Sequence, residues 1–183
     1  MDVSNSGPAH WQTWLEAHFR SAVRVEQGDW ERADLDRWAD RIATTVARHP
    51  GAHWVAVAHS FGCLALTHFL NEGGRGVHAA LLVAPADPEK FSVAQRLPQT
   101  RLRIPSVLVG SESDPWMQID NARQWAQRWG SQFINLGDVG HINVDSGFGP
   151  LPQAKTLAEL LIQRVERARR LERAHPLELS FAI

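Results

Sequence analysis

Residues 54–70 read WVAVAHSFGCLALTHFL, and they carry the clearest signal of the fold in the sequence. The apolar run 54–58 carries no charged residue, which is typical of a parallel strand that is buried on both faces. The segment 63–70 follows almost at once and favours an α-helix. Ser60 lies in the short connection between them. The stretch therefore predicts a strand–turn–helix unit with a serine at its turn.

The segments around this unit alternate between helix-like and strand-like patterns. Helices are predicted at residues 9–19, 35–48, 122–129 and 153–172, and further strands at residues 79–84, 106–110 and 133–136. Such alternation predicts an α/β fold with a parallel sheet covered by helices. A chain of 183 residues suits one domain. We expect residues 1–183 to form it, with residues 164–183 as an extended C-terminal helix and tail.

Composition excludes several classes of function. The chain has 19 Lys and Arg against 20 Asp and Glu, so nothing marks it as a binder of nucleic acid or of an anionic membrane. It shows no signal peptide and no apolar stretch of the roughly 20 residues that span a bilayer. The single cysteine, Cys63, cannot form an internal disulfide. We therefore expect a cytoplasmic protein, and the sequence leaves its oligomeric state open.

Ser60 fits the position of a nucleophile elbow, in which a tight strand-to-helix turn lifts a serine hydroxyl clear of the sheet. We expect the neighbours of Ser60 to be small because the backbone of such a turn is strained and crowded. Gly62 meets this expectation two residues later, and Ala58 stands two residues earlier, where glycine is usual. The alternative is that Ser60 serves only as the N-cap of the helix.

A serine hydroxyl becomes a nucleophile when a base takes its proton and an acid orients that base. In the α/β-hydrolase fold the three residues follow strands in the chain order Ser, Asp or Glu, His. Asp114 follows the strand at 106–110, and His141 follows the strand at 133–136. Parallel strands place their carboxyl ends at one edge of the sheet. We therefore predict that Ser60, Asp114 and His141 meet there as nucleophile, acid and base.

Other residues compete for these roles. Asp87 also follows a strand and is the main alternative acid, while Glu112 and Asp138 are weaker ones. The other histidines are interpreted as packing or surface residues. The oxyanion formed by serine attack needs two donors, and the backbone N–H of Phe61 is the first candidate. No metal or cofactor is expected, because the chain has neither ligand spacing on one element nor a glycine-rich phosphate loop.

Several motifs together resemble one family. They are SGPAHWQ at 6–12, VAHSFG at 57–62, LVAPAD at 82–87, SESDP at 111–115, GHIN at 140–143 and SGFG at 146–149. This set resembles the bacterial branch of the serine hydrolases related to retinoblastoma-binding protein 9, the YdeN type, over about residues 4–160. The resemblance implies a small α/β-hydrolase fold with a mostly parallel sheet, helices on both faces and little or no cap. It also implies a triad of Ser60, Asp114 and His141.

The chain departs from that family at its start. The family usually opens with a hydrophobic strand ending in Pro-Gly, and Met1 and Asp2 occupy those last two places. The resemblance therefore implies that the first strand, which lies beside the nucleophile strand and supplies the second oxyanion donor, is missing. Either the start is drawn too far downstream, or the sheet is rearranged, or the hydrolase is compromised. The remaining candidates for the second donor are the backbone N–H groups of Ser4 and Asn5.

The expected function is hydrolysis of a small ester or amide through an acyl-enzyme. An acyltransferase, in which an alcohol or amine replaces water, would use the same three residues. A non-catalytic interaction protein that keeps the hydrolase shape is the alternative from a different class.

Overall fold

Helices and strands alternate along most of the chain in the computed structural model, which describes residues 5–178. In chain order they are α1 (Trp11–Glu16), α2 (Leu35–Ala47), β1 (Trp54–Ser60), α3 (Phe61–Asn71), β2 (Val77–Pro85), β3 (Ser106–Gly110), α4 (Ile119–Trp129), β4 (Gln132–Asn135) and α5 (Pro152–Glu178). The element order predicted from the sequence is confirmed. Helix α1 begins two residues later than predicted, because the His10 side chain caps the helix by accepting the Gln12 N–H and the helix starts only after it.

The four strands form one parallel sheet in the order β1-β2-β3-β4. The register aligns Val57 with Leu81 and Leu82 with Leu108. Since all four strands run the same way, their carboxyl ends lie at one edge of the sheet. The turn from β1 into α3 and the loops that follow β3 and β4 therefore lie at this edge.

Helices cover both faces of the sheet, as predicted. Leu81 and Val83 of β2 point into a core shared with α1 and α5. Leu82, between them, points into a second core shared with α2, α3 and α4. This alternation follows from the period of two along a strand. Every described helix contributes to one of these two cores, and none of them forms a separate cap over the sheet edge.

Strand β1, which carries Ser60, is an edge strand of the described sheet. Within residues 5–178 no strand pairs with its outer side. An unpaired backbone group is costly only where water cannot reach it. Apart from buried Ala58, the residues of β1 are half-buried, and the Val57 carbonyl accepts a 3.4 Å hydrogen bond from the side-chain amide of Gln12.

Helix α5 is the longest element, with 27 residues. Its residues Leu161 and Val165 are buried against the sheet, whereas Leu160 and Leu171 are exposed. The predicted C-terminal helical extension therefore follows the sheet-packing part of α5 without a break as far as Glu178. Across the described residues, none of the helices has the length and apolar content that a membrane crossing requires.

Candidate active site

Ser60 sits where β1 passes directly into α3. Its backbone has φ 53° and ψ −127°, a conformation that residues other than glycine rarely adopt. The pairing of β1 with β2 shifts register between His59 and Ser60, so the ladder is irregular at this residue. The strained turn expected of a nucleophile elbow is therefore present at Ser60.

The side chain of Ser60 does not serve as a helix cap. Ser60 occupies the N-cap position of α3, yet its hydroxyl makes no capping hydrogen bond. The Oγ atom instead lies 2.9 Å from Nε2 of His141. The alternative interpretation, in which the Ser60 side chain caps α3, is therefore wrong.

The structure brings Ser60, His141 and Asp114 together through one chain of hydrogen bonds. Nδ1 of His141 lies 2.9 Å from both carboxylate oxygens of Asp114. Because a carboxylate only accepts, Nδ1 carries the proton and Nε2 presents its lone pair to the Ser60 hydroxyl. Asp114 and His141 are both buried. A buried, correctly oriented imidazole is what a serine needs to lose its proton.

Asp87, the main alternative acid, is engaged elsewhere. Its carboxylate accepts the Glu89 N–H at 3.0 Å and the Asn121 side-chain amide at 3.5 Å. Its own N–H donates to the carbonyl of Trp116. Asp87 therefore stabilises the loops beside the site, and its carboxylate makes no hydrogen bond to His141 among the described residues.

The two weaker alternatives also lie apart from the base. Glu112 is exposed and accepts a 2.7 Å hydrogen bond from the amide of Asn135. Asp138 is exposed on the loop that precedes His141. Of the four candidate acids, Asp114 is the one whose carboxylate contacts the imidazole.

Comparison with known protein families identifies the family of the chain. The model of the serine hydrolase family matches residues 3–159. The chain belongs to the serine hydrolase family. No curated protein sequence matches this serine hydrolase.

Solved structures with the same fold include two YdeN-type proteins. A YdeN-like hydrolase from Pectobacterium atrosepticum is 34% identical, with a TM-score of 0.81 over 87% of this chain and 88% of that one. The ydeN gene product of B. subtilis is 19% identical, with a TM-score of 0.73 over 88% of this chain and 95% of that one. These similarities support the YdeN-type resemblance, whereas the relation to retinoblastoma-binding protein 9 stays a prediction.

The segment that carries His141 in this serine hydrolase is fixed by its neighbours. The His141 N–H donates to Oγ of Ser146, which in turn donates to Oδ1 of Asn143. Ile142 has φ 51°, which is rare for a β-branched residue, and its side chain is fully buried. Gly140 has φ 59°, and a Cβ there would lie 2.4 Å from Oγ of Ser146. These contacts give structural roles to the GHIN motif and to Ser146, the first residue of the SGFG motif.

Gly140→Ala is therefore expected to reduce both stability and activity. The added methyl group meets the hydroxyl that anchors His141, at a backbone conformation that alanine rarely adopts. We expect a loss of about 1–3 kcal/mol in the free energy of unfolding, together with slower ester hydrolysis. Chemical denaturation and initial rates measure the two effects. Gly137→Ala is the matched control for the positive φ, since a Cβ at Gly137 meets nothing within 4 Å. Equal losses in both variants would contradict the role given to the Ser146 contact.

The expectation of crowding at Gly62 is wrong. Gly62 is the second residue of α3, and its φ is not positive. A Cβ built there meets no heavy atom of the described chain within 4 Å, beyond its chain neighbours and the backbone of its own helix. The strain of the turn is concentrated at Ser60 itself.

Of the predicted oxyanion donors, Phe61 has a suitable position. It is the first residue of α3, so its N–H has no acceptor within the helix. Asn5 is exposed, and no hydrogen bond of its N–H is described. Ser4 lies outside the described residues. The second donor therefore stays a prediction.

Two histidines that the sequence assigned to packing or to the surface lie beside the base. The ring of His59 is centred 4.9 Å from that of His141 and 5.0 Å from that of His10. Burial, aided by the charges of Arg24 and His141, lowers the pKa of His10 to about 4. Burial also lowers the pKa of His59 well below its usual range. Both rings are therefore neutral near pH 7. Long-range packing, which has no local signal in the sequence, brings them to the site.

His10 makes the stability of the protein depend on pH. Its pKa is near 6.5 in the unfolded chain and about 4 in the folded protein, so the unfolded chain binds the extra proton between these values. The free energy of unfolding therefore falls as the pH drops from about 6.5 towards 4, by up to about 3 kcal/mol from this residue.

His10→Asn is expected to flatten that part of the stability profile. Asparagine keeps an acceptor for the Gln12 N–H but does not titrate. Chemical denaturation at pH 7 and at pH 5 measures the difference between the two stabilities. A pH dependence equal to that of the wild type would contradict the contribution of His10.

One aromatic ring lies beside His141, and a buried aromatic residue follows Ser60 in the chain. The Trp116 ring is centred 6.1 Å from the His141 ring, and the Phe61 and Phe91 rings are centred 4.9 Å apart. Nζ of Lys90 lies 5.9 Å from the centre of the Trp116 ring. A groove of about 680 Å³ lies elsewhere, between α2 and the C-terminal half of α3, and none of the triad residues lines it.

Proposed function

We propose that this serine hydrolase cleaves a small ester or amide through an acyl-enzyme formed on Ser60. The observation that carries the proposal is the uninterrupted hydrogen-bond chain from the Ser60 hydroxyl through His141 to Asp114. Family membership supports the general reaction class. The proposed steps use only groups of the chain and water.

In the first step, Oγ of Ser60 attacks the carbonyl carbon of the substrate while its proton moves to Nε2 of His141. Asp114 stays ionised, holds Nδ1–H and stabilises the imidazolium. The backbone N–H of Phe61 donates to the developing oxyanion. When the tetrahedral intermediate collapses, the carbon–leaving-group bond breaks and His141 returns the proton to the leaving alcohol or amine.

In the second step, water replaces the leaving group. His141 takes a proton from the water as its oxygen attacks the acyl carbon. Collapse of the second intermediate breaks the bond to Oγ, and the proton on His141 returns to Ser60. The products are a carboxylic acid and the free enzyme.

The acyl-enzyme gives the direct test of this function. We expect p-nitrophenyl esters of short acids to raise the intact mass of the protein by one acyl group, and the added mass to disappear as the acid is released. Rapid-quench mass spectrometry measures both events. The Ser60→Ala variant serves as the control and should acquire no acyl mass.

Other outcomes separate the alternative functions. Partition of the acyl group to an added alcohol or amine in preference to water would identify an acyltransferase. Neither an acyl adduct nor turnover across esters and amides of several lengths would contradict the proposal and favour a non-catalytic interaction protein.

A further inference from the structure

His59, which directly precedes the nucleophile Ser60, contacts the backbone of the base His141. Its Nε2 lies 2.9 Å from the carbonyl oxygen of His141. Ser60, the next residue, contacts the imidazole of the same His141. Two successive residues at the end of β1 thus hold His141 at two points, one on its backbone and one on its ring.

The chemistry of this contact fixes the direction of the hydrogen bond. A carbonyl oxygen only accepts, so Nε2 of His59 carries the proton and donates it. The ring is packed between His10 and His141 and lies edge-on to Trp11, whose ring centre is 5.8 Å away. This packing leaves the His59 ring little freedom to rotate away from the carbonyl.

We propose that His59 is a positioning residue of the active site, which holds the His141 backbone so that the imidazole stays on the Ser60 hydroxyl. The inference rests on the proposed function, because it needs His141 to act as the base for Ser60. Reacting groups must be held closely, and a displacement of about 1 Å can cost about 100-fold in rate. The His141 segment contains Gly140 and Ile142, both with positive φ. A hydrogen bond to the backbone of His141 helps to hold this uncommon conformation in place.

A neutral donor is suited to this place. His141 acquires a positive charge during the proposed reaction, and a second cation 4.9 Å away would oppose that charge. Burial and the neighbouring histidines keep His59 uncharged, while its N–H remains available to the carbonyl.

The test compares variants that remove the donor with one that keeps it. His59→Leu and His59→Met lack an N–H, whereas His59→Gln places an amide N–H at a similar reach. We expect the Leu and Met variants to lose about 10- to 100-fold in kcat for a p-nitrophenyl ester, with KM changed by less than about twofold. The Gln variant should recover most of the lost kcat. Thermal denaturation of all three variants checks that they are folded.

The results for the His59 variants can be distinguished from a failure of the proposed function, which the Ser60→Ala variant tests separately. Wild-type kcat in the folded Leu or Met variant would overturn the inference. Equal losses in the Leu, Met and Gln variants would also overturn it, since the N–H would then not matter. If the Ser60→Ala protein reacted with a fluorophosphonate as fast as the wild type, the proposed function itself would fail, whatever the His59 variants show.

Discussion

Ser60→Ala is expected to abolish reaction with a fluorophosphonate probe and to lower kcat/KM for ester hydrolysis by at least about a thousandfold. Oγ of Ser60 is the atom that forms the acyl bond in the proposed reaction, and His141 already faces it at 2.9 Å. The backbone should be undisturbed, because alanine carries a Cβ as serine does and is under the same constraint at a φ of 53°. The free energy of unfolding should change by about 1 kcal/mol or less, the usual net value of one hydrogen bond. Gel fluorescence of the probe and initial rates measure the loss.

Ser92 provides a matched control. It is another serine with positive φ, at 54°, but it is exposed, and none of its described hydrogen bonds involves His141. Ser92→Ala should therefore react with the probe as the wild type does. Persistence of labelling in Ser60→Ala would place the reactive group elsewhere and contradict the account.

Asp114→Asn is expected to lower kcat by about four orders of magnitude. The asparagine amide can donate to Nδ1 of His141 and so favour the tautomer with its proton on Nε2. That tautomer offers no lone pair to the Ser60 hydroxyl, although the geometry is otherwise preserved. The pair is buried, so water cannot substitute for the missing carboxylate. Steady-state hydrolysis of one ester at saturating concentration measures the effect.

Asp87→Asn is the control for Asp114→Asn. Asp87 is also buried and also follows a parallel strand, but its carboxylate accepts from Glu89 and Asn121, and asparagine retains an acceptor oxygen. We expect its kcat to change by less than about threefold, as for a substitution away from the reacting groups. A larger loss of kcat in Asp87→Asn than in Asp114→Asn would overturn the choice of Asp114 as the acid.

The sequence predicted the fold and the location of the candidate triad because both depend on the order of elements. The run 54–58 and the turn at Ser60 carry local signals of a strand and an elbow. Once the sheet is parallel, the loops after β3 and β4 must reach the same edge, which brings Asp114 and His141 to Ser60. The sequence favoured Asp114 over Asp87 as the acid, and in the structure the Asp114 carboxylate is the one that faces the imidazole.

Other parts of the site have no local signal in the sequence. The contact between His59 and His141 joins residues 82 positions apart, and only the packed loops create it. The neutral state of His10 likewise depends on burial beneath segments distant in the chain. The need for glycine at position 140 arises from Ser146 on the facing turn. At Gly62, by contrast, analogy with crowded turns predicted a constraint that the described structure lacks.

In the proposed mechanism, His141 and Asp114 make Ser60 the nucleophile of this chain. Peptide mapping of the fluorophosphonate-treated wild-type protein by tandem mass spectrometry tests it most directly. We expect a single phosphonyl group, carried by the Oγ of Ser60. A phosphonyl group on any other side chain, with Ser60 unmodified, would contradict it.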